Sequence, residues 1–323
     1  MKFLVTGGAG YIGSACVEEL INQGHSVVVF DNLSEGHRKA VHPEATFVRG
    51  CLSRPHEIKA QIGRFSPEVV IHFAASALVG ESMQDPGKYF TNNVANGVHL
   101  LDACVEGKVR KIVFSSTCAT YGVPDQVPMT EETTQTPINP YGESKLMFER
   151  TLRWYHQLHG LDFVAFRYFN ACGATPLFGE HHRIETHLIP NILKVVLGQR
   201  ESCSIFGTDY PTSDGTCVRD YIHIQDLAKA HITAAESNTI GFFNLGTGKG
   251  CSVREVISAC EVTTGSKIKV IEKARRDGDP PELVAAPTKV LESLGWKPDY
   301  TEIEKIIESA WKWHQKHPQG YSD

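Results

Sequence analysis

The sequence predicts an α/β protein organised on a doubly wound parallel sheet, with a second, smaller α/β lobe following it. Three observations carry that expectation. Short apolar runs alternate with longer amphipathic stretches through the first half, glycines cluster between the first run and the first stretch, and after Asn170 the rhythm gives way to irregular Gly-, Pro- and His-containing segments. Regular alternation of strand and helix patterns is what a parallel sheet covered on both faces requires.

The predicted strands are Lys2 to Thr6, Ser26 to Phe30, Thr46 to Arg49, Val69 to Phe73, Lys111 to Ser115 and Asp162 to Arg167. Most are short and largely apolar, as strands buried on both faces read. Between them Ile12 to Gln23, Pro86 to Glu106 and Pro140 to Leu158 repeat apolar residues at three- and four-residue spacing and are predicted helices. Residues 1–171 form the expected dinucleotide-binding (Rossmann) domain. Gly241 to Leu245 is one more apolar run, so the chain is expected to rejoin that domain over about 217–249. The smaller lobe then takes residues 172–323.

Bulk composition narrows the class of partner. Of 323 residues 41% are hydrophobic and 21% charged, ample for a large core, and the net charge of −5 gives no electrostatic footprint for nucleic acid or an anionic membrane. An anionic ligand must therefore be held by particular arginines and backbone amides. The nine cysteines are scattered with no CxxC pair, which reads as reduced core thiols in a cytoplasmic protein. The opening MKFLVTGGAG is too short an apolar run for a signal peptide, and no run approaches the ~20 residues of a membrane span. His181-His182 and the tail from Trp311 to His317 come with no carboxylate or thiol at a recognised ligand spacing, so no metal site is expected.

Gly7, Gly10 and Gly13 follow the first strand and open the first helix. Glycines there allow a tight turn, close approach to a pyrophosphate, and packing of helix on sheet. The second apolar run ends in Asp31, where a carboxylate can bind ribose hydroxyls and would repel a 2′-phosphate, and no arginine stands beside it. NAD is favoured over NADP. Tyr141 and Lys145 stand four apart at the start of a helical pattern and share one face. An ammonium beside a phenol is expected to lower its pKa toward that of a working general base. The hydroxyl cluster Ser115-Ser116-Thr117 ends the preceding strand, the edge at which a doubly wound sheet binds ligands. Cys118, beside it, is expected to be packed rather than nucleophilic.

With these residues in place the chain resembles the extended short-chain dehydrogenase/reductase superfamily, and within it the UDP-glucose/UDP-galactose 4-epimerases. The resemblance rests on TGGAGYIG from Thr6, DNLS from Asp31, HFAA from His72, VGES from Val79, FSST from Phe114, PYGESK from Pro140, RYFN from Arg167, FGTDYPTSDGTCVRDYIH from Phe206 and RRDGDPPE from Arg275. It implies an isomerase that inverts C4 of a UDP-hexose through a transient 4-keto sugar, with NAD as a tightly held prosthetic group. In it Tyr141 is the acid/base, Lys145 tunes it, and Thr117 binds the same sugar oxygen. The cofactor residues implied are Gly7, Gly10, Tyr11, Ile12, Gly13, Asp31, Asn32, Leu52, Phe73, Ala74, Ala75, Asn92, Ser115, Tyr141, Lys145 and Tyr168. Those implied for the UDP-sugar, in the smaller lobe and along the cleft, are Thr117, Tyr141, Asn170, His187, Leu188, Phe206, Arg219, Arg276 and Asp279, with Leu283 near C2. The resemblance also implies a homodimer through Asp85 to Glu106 and Pro140 to Leu158. The chain departs from the family pattern at Cys51, where an aspartate usually meets adenine, at Ala77, where some members place a lysine, and at His187, which replaces an asparagine.

Other activities fit less well. Dehydratases of the superfamily need an acid/base pair directly after the threonine, and here those positions are Cys118 and Ala119. Epimerases of UDP-N-acetylhexosamine, UDP-pentose or UDP-uronic acid remain alternatives, and a nonenzymatic NAD sensor would have no use for Thr117, Tyr141 and Lys145 together.

Overall fold

The computed structural model describes residues 1–276 and 278–322. Among the described residues thirteen strands run in chain order as β1 Lys2–Thr6, β2 Ser26–Asp31, β3 Thr46–Arg49, β4 Val69–His72, β5 Lys111–Thr117, β6 Asp162–Tyr168, β7 Asn170–Cys172, β8 Cys203–Phe206, β9 Val218–His223, β10 Gly241–Leu245, β11 Gly250–Ser252, β12 Val270–Lys273 and β13 Glu282–Leu283. The α-helices are α1 Tyr11–Asn22, α2 Pro55–Phe65, α3 Val79–Ser82, α4 Pro86–Tyr89, α5 Asn96–Glu106, α6 Pro140–His159, α7 Leu188–Val196, α8 Ile224–Glu236, α9 Val253–Thr264, α10 Thr288–Leu294 and α11 Ile303–Lys316.

Seven parallel strands make the main sheet in the order β3-β2-β1-β4-β5-β6-β10. The order reverses between β1 and β4, so the crevice for a ligand opens at their carboxyl ends. Alternation along β1 shows why the sheet is covered twice. Phe3 and Val5 pack with Cys16, Val17 and Leu20 of α1 and Leu227 and Ala228 of α8, while Leu4 faces the opposite layer with Ile58, Leu101 and Phe148. Each such side chain contributes about 1.5–3 kcal/mol on burial. A further core joins α7, α9 and α11 through Ile189, Ile192, Val256, Ile306 and Ile307. Around it β11, β9, β13 and β7 form one small sheet, and β12 pairs with β8.

The predicted strands occur with ends shifted by no more than two residues, and β10 does lie against β6, in register Gly241 to Val164. The predicted helix from Pro86 to Glu106 is divided. A π-helical segment, Phe90–Ala95, separates α4 from α5. Its turn brings the Asn93 carboxamide to the Ser76 backbone, accepting from the amide at 2.8 Å and donating to the carbonyl at 2.9 Å, and to Ser144 Oγ at 3.0 Å. These bonds tie the segment to the end of β4 and to α6, and π turns recur where a site needs such displacement. All nine cysteines are free thiols. Among the described residues no helix is long and apolar enough to cross a membrane.

Candidate active site

The glycine turn after β1 leaves no room for side chains. Gly7 sits at φ +74°, and a Cβ on it would meet the Ala74 backbone nitrogen at 2.5 Å, while a Cβ on Gly13 would lie 2.2 Å from the Gly7 carbonyl oxygen. Gly10 is the N-cap of α1 and brings no side-chain cap. The first-turn amides, those of Tyr11 and Ile12 among them, have no such partner, which is the donor set a pyrophosphate needs. Asp31 is buried at the end of β2, and its carboxylate accepts from the amides of Ala9 at 3.1 Å and Leu33 at 2.8 Å. Burial raises its pKa against those two bonds. A carboxylate has capacity for further donors, so ribose hydroxyls fit there. Leu52 lies in the core beneath this end, and Asn32 donates to Cys51 Sγ at 3.6 Å, a weak contact in place of a carboxylate. Burial opposes a thiolate at Cys51, but hydrogen bonds from Ser53 and Asn32 and the charge of Arg54 outweigh it and lower the pKa.

The far side of the crevice is Phe73, Ala74 and Ala75 after β4. The amides of Phe73 and Ala74 both donate to the Thr6 carbonyl, at 2.9 and 3.1 Å, which fixes this turn against β1. Asn92, on the π segment, donates to Ser76 Oγ at 3.4 Å. Phe73 to Ala75, the glycine turn and Asp31 thus stand together at the carboxyl ends of β4, β1 and β2, where a doubly wound sheet takes a dinucleotide.

α6 begins with Asn139 accepting from the Gly142 amide at 2.8 Å and with Pro140 in its first turn. That N-terminus points Tyr141 and Lys145 at the end of β5. Lys145 is 2% exposed and donates to the Ser115 carbonyl at 2.7 Å, and Ser115 in turn shares a short hydrogen bond with Tyr168. Thr117 hydrogen-bonds to Tyr141. The electrostatics depart from the sequence expectation. Tyr141 opens on the cleft over part of its surface, yet the protein around it pushes its pKa up to about 12, with the Thr117 bond acting the other way. The Lys145 ammonium, 5.9 Å from the phenol ring centre, does not reverse this. Burial pulls Lys145 itself down to about 7, against the pull of Glu149. Burial wins at both residues.

Cys118 adjoins this cluster on one side and Arg219 and Asp220 on the other, and burial raises its thiol to about 12, so it is packed and protonated. Beyond it Arg219 pairs with Asp279 at 2.5 Å, and Arg276 stacks 4.0 Å over the Phe206 ring. Asn170 donates to the Asp220 carbonyl at 3.4 Å. Leu283 of β13 stands opposite Arg219 in the strand register and packs with Cys118, Tyr121 and Phe169. Asp277, within the RRDGDPPE motif, lies outside the described residues.

His187 and Leu188 open α7, where Leu188 packs on the smaller lobe's core. The expectation that His181-His182 comes with no carboxylate at ligand spacing is corrected by Glu180, which lies beside His182. His187 Nδ1 lies 2.7 Å from Glu180 and 3.3 Å from Glu185, and His182 Nε2 lies 3.2 Å from Glu180. The loop fold brings them together, and the available signal was the spacing Glu180-x-His182-x-x-Glu185-x-His187. Sequence reading also passed over the buried pair Glu149–Arg167, 2.7 Å apart directly under Ser116.

Residues 3–246 match the NAD dependent epimerase/dehydratase family. The chain is 52% identical to the UDP-glucose 4-epimerase of Streptococcus mutans, over 100% of this chain and 99% of the relative. A solved UDP-glucose 4-epimerase from Brucella ovis in complex with NAD superposes with a TM-score of 0.93 at 46% identity, covering 97% of this chain and 98% of that one. A third, from Bifidobacterium longum in complex with NAD+ and UDP, gives a TM-score of 0.94 at 37% identity over 99% and 100% of the two chains.

Proposed function

The chain belongs to the NAD dependent epimerase/dehydratase family, and on that premise we propose that it is an isomerase inverting C4 of a UDP-hexose, UDP-glucose and UDP-galactose being the interconverted pair. The observation that carries this reading is the placement of Tyr141, hydrogen-bonded to Thr117 and backed by buried Lys145, at the carboxyl end of β5 across from the glycine turn.

Bound NAD would supply a hydride acceptor and, once reduced, a hydride donor for C4, and in its oxidised form a positive ring charge that favours the Tyr141 phenolate. Gly7, Gly10 and Gly13 give its pyrophosphate room at the N-terminus of α1, Asp31 takes a ribose, and Asn32, Leu52, Phe73, Ala74, Ala75 and Asn92 line the groove. Tyr141 Oη removes the C4 hydroxyl proton, and Thr117 Oγ1 holds that same oxygen in line. The 4-keto sugar, formed once both the hydroxyl proton and the C4 hydride have left, would turn about its diphosphate linkage, offer its other face, and take back a hydride at C4 and, at its oxygen, the proton held by Tyr141. Asn170, Phe206, Arg219 and Arg276 anchor the uridine diphosphate through the turn, with Asp279 fixing Arg219. Arg219 and Arg276 together can offset the diphosphate charge.

We place the UDP-sugar in the lobe of residues 172–323 and the cofactor in residues 1–171. A cytoplasmic homodimer belongs to the same reading. On α6, Met147, Trp154 and Leu158 are 38, 59 and 67% exposed at spacings of seven and four, an apolar stripe suited to a second copy. The test is proton NMR of protein incubated separately with UDP-glucose, UDP-N-acetylglucosamine and UDP-glucuronate. Tyr141→Phe is expected to lose most turnover while still binding UDP. Near-normal kcat in that variant refutes the assignment.

A further inference from the structure

We propose that Glu180, His182, Glu185 and His187 form a binding site for one divalent transition-metal cation of the zinc class, which clips the 180–187 segment over the cofactor-binding turn. Each residue offers one ligand atom, and the four atoms lie within 4.8 Å of one another. In a tetrahedral site with bonds of about 2.0–2.2 Å, neighbouring ligand atoms stand roughly 3.3–3.6 Å apart. The separations of 2.7, 3.2 and 3.3 Å lie close to that spacing, and with no pair beyond 4.8 Å side-chain adjustments of at most about 1.5 Å would close the set. Two imidazoles with two carboxylates are a donor set for a borderline metal.

Charge supports the assignment. The Glu180 and Glu185 side chains are 4 and 2% exposed, and two anions taken out of water need two positive charges beside them. One divalent cation supplies both and leaves the imidazoles neutral. His187 is half exposed, which gives a metal its way in.

The position gives such a metal a consequence. Within the same segment Arg183 donates to the carbonyls of Ser34 at 3.0 Å and Gly36 at 3.3 Å, and the ring of His182 meets that of Tyr11 edge-on at 6.0 Å. Fixing the ligands would hold the segment across the turn from Tyr11 to Gly36, in contact with the cofactor groove. The inference needs no particular substrate and stands apart from the C4 chemistry.

The experiment strips the full-length protein with a chelator and titrates it with cobalt(II) alone, reading visible absorption and bound metal by mass spectrometry. The expected result is one cobalt per chain with the intense visible bands of a tetrahedral nitrogen and oxygen site, and no thiolate-to-metal band in the near ultraviolet. His182→Gln and Glu185→Gln are each expected to weaken binding by at least about tenfold, whereas Cys51→Ser leaves it unchanged. His182 is part-exposed, so its variant keeps the test available should the Glu185 variant not fold. No saturable binding, a thiolate band, or affinity equal to wild type in a folded His182→Gln protein overturns the proposal, because the cluster is then held by protons alone.

Discussion

Replacing Glu149 with glutamine tests whether the floor beneath the active site depends on charge. Glu149 and Arg167 are 1 and 2% exposed. The carboxylate accepts from Arg167 Nε at 3.0 Å and Nη2 at 2.7 Å, from Ser116 Oγ at 2.5 Å and from Gln135 Nε2 at 3.2 Å, while Arg167 Nη1 also donates to Tyr121 at 3.0 Å. Glu149→Gln keeps the shape but leaves a buried guanidinium without its counter-charge. Removing one partner of such a pair costs about 3–5 kcal/mol. In a chain of this size that corresponds to a fall in Tm of roughly 4–7 °C. Glu149→Leu combined with Arg167→Met removes both charges and should recover most of the loss. Lys145 provides a second readout, because burial lowers it to about 7 and Glu149 acts to raise it. Without that carboxylate the Lys145 ammonium loses its proton at lower pH, so the alkaline limb of kcat moves to lower pH. The assays are urea unfolding followed by circular dichroism and a pH series of kcat. A destabilisation below about 1 kcal/mol, the scale of an exposed ion pair, would refute the account of a charge-dependent floor.

Gly13→Ala is expected to abolish retention of NAD through purification, because its Cβ would fall 2.2 Å from the Gly7 carbonyl oxygen; nucleotide released on denaturation measures it, and wild-type content would contradict the geometry. Stability should fall in acid. Burial holds His72 and His223 down to about 3 and His231 to about 4, so the unfolded chain takes up their protons first as pH drops below about 6.5, and each contributes a loss of up to about 1.4 kcal/mol per pH unit until its folded pKa is reached. An unchanged urea midpoint between pH 7 and pH 5 would show that these rings are not buried neutral. Leu283→Ser should raise kcat/KM for UDP-N-acetylglucosamine relative to UDP-glucose, within the roughly 10–200-fold that steric fit can deliver. An unchanged ratio would place specificity elsewhere.

Much of the architecture was legible because its causes are local. Apolar runs marked the main strands, and apolar spacing from Pro140 onward marked α6, whose start is held by Asn139, its neighbour in sequence. The π segment was not legible, since Phe90–Ala95 keeps a helical pattern and its displacement is tied to Asn93 meeting Ser76 and Ser144, distant in sequence. The pairing of Tyr141 with Lys145 could be read from spacing, but the direction of the Tyr141 shift could not. Spacing reports which groups meet, whereas burial depends on everything packed around them. Glu180 and Glu185 were overlooked for a related reason, because a loop has no period to show which of its side chains converge.

The return of β10 to the edge of β6 has a consequence for how the protein is made. When the first 171 residues have left the ribosome, β6 is a bare sheet edge, and it stays so until residues 241–245 arrive to pair with it. Lys111, fully buried, donates to the carbonyls of Ala234, Ser237 and Thr239, all of which are synthesised late. Until then its ammonium lacks all three of these acceptors. An unpaired edge flanked by Phe163 and Phe166 is a template for the wrong partner. The nascent chain therefore passes through an interval of exposure to aggregation, which ends only when residues 241–245 have emerged to cover that edge.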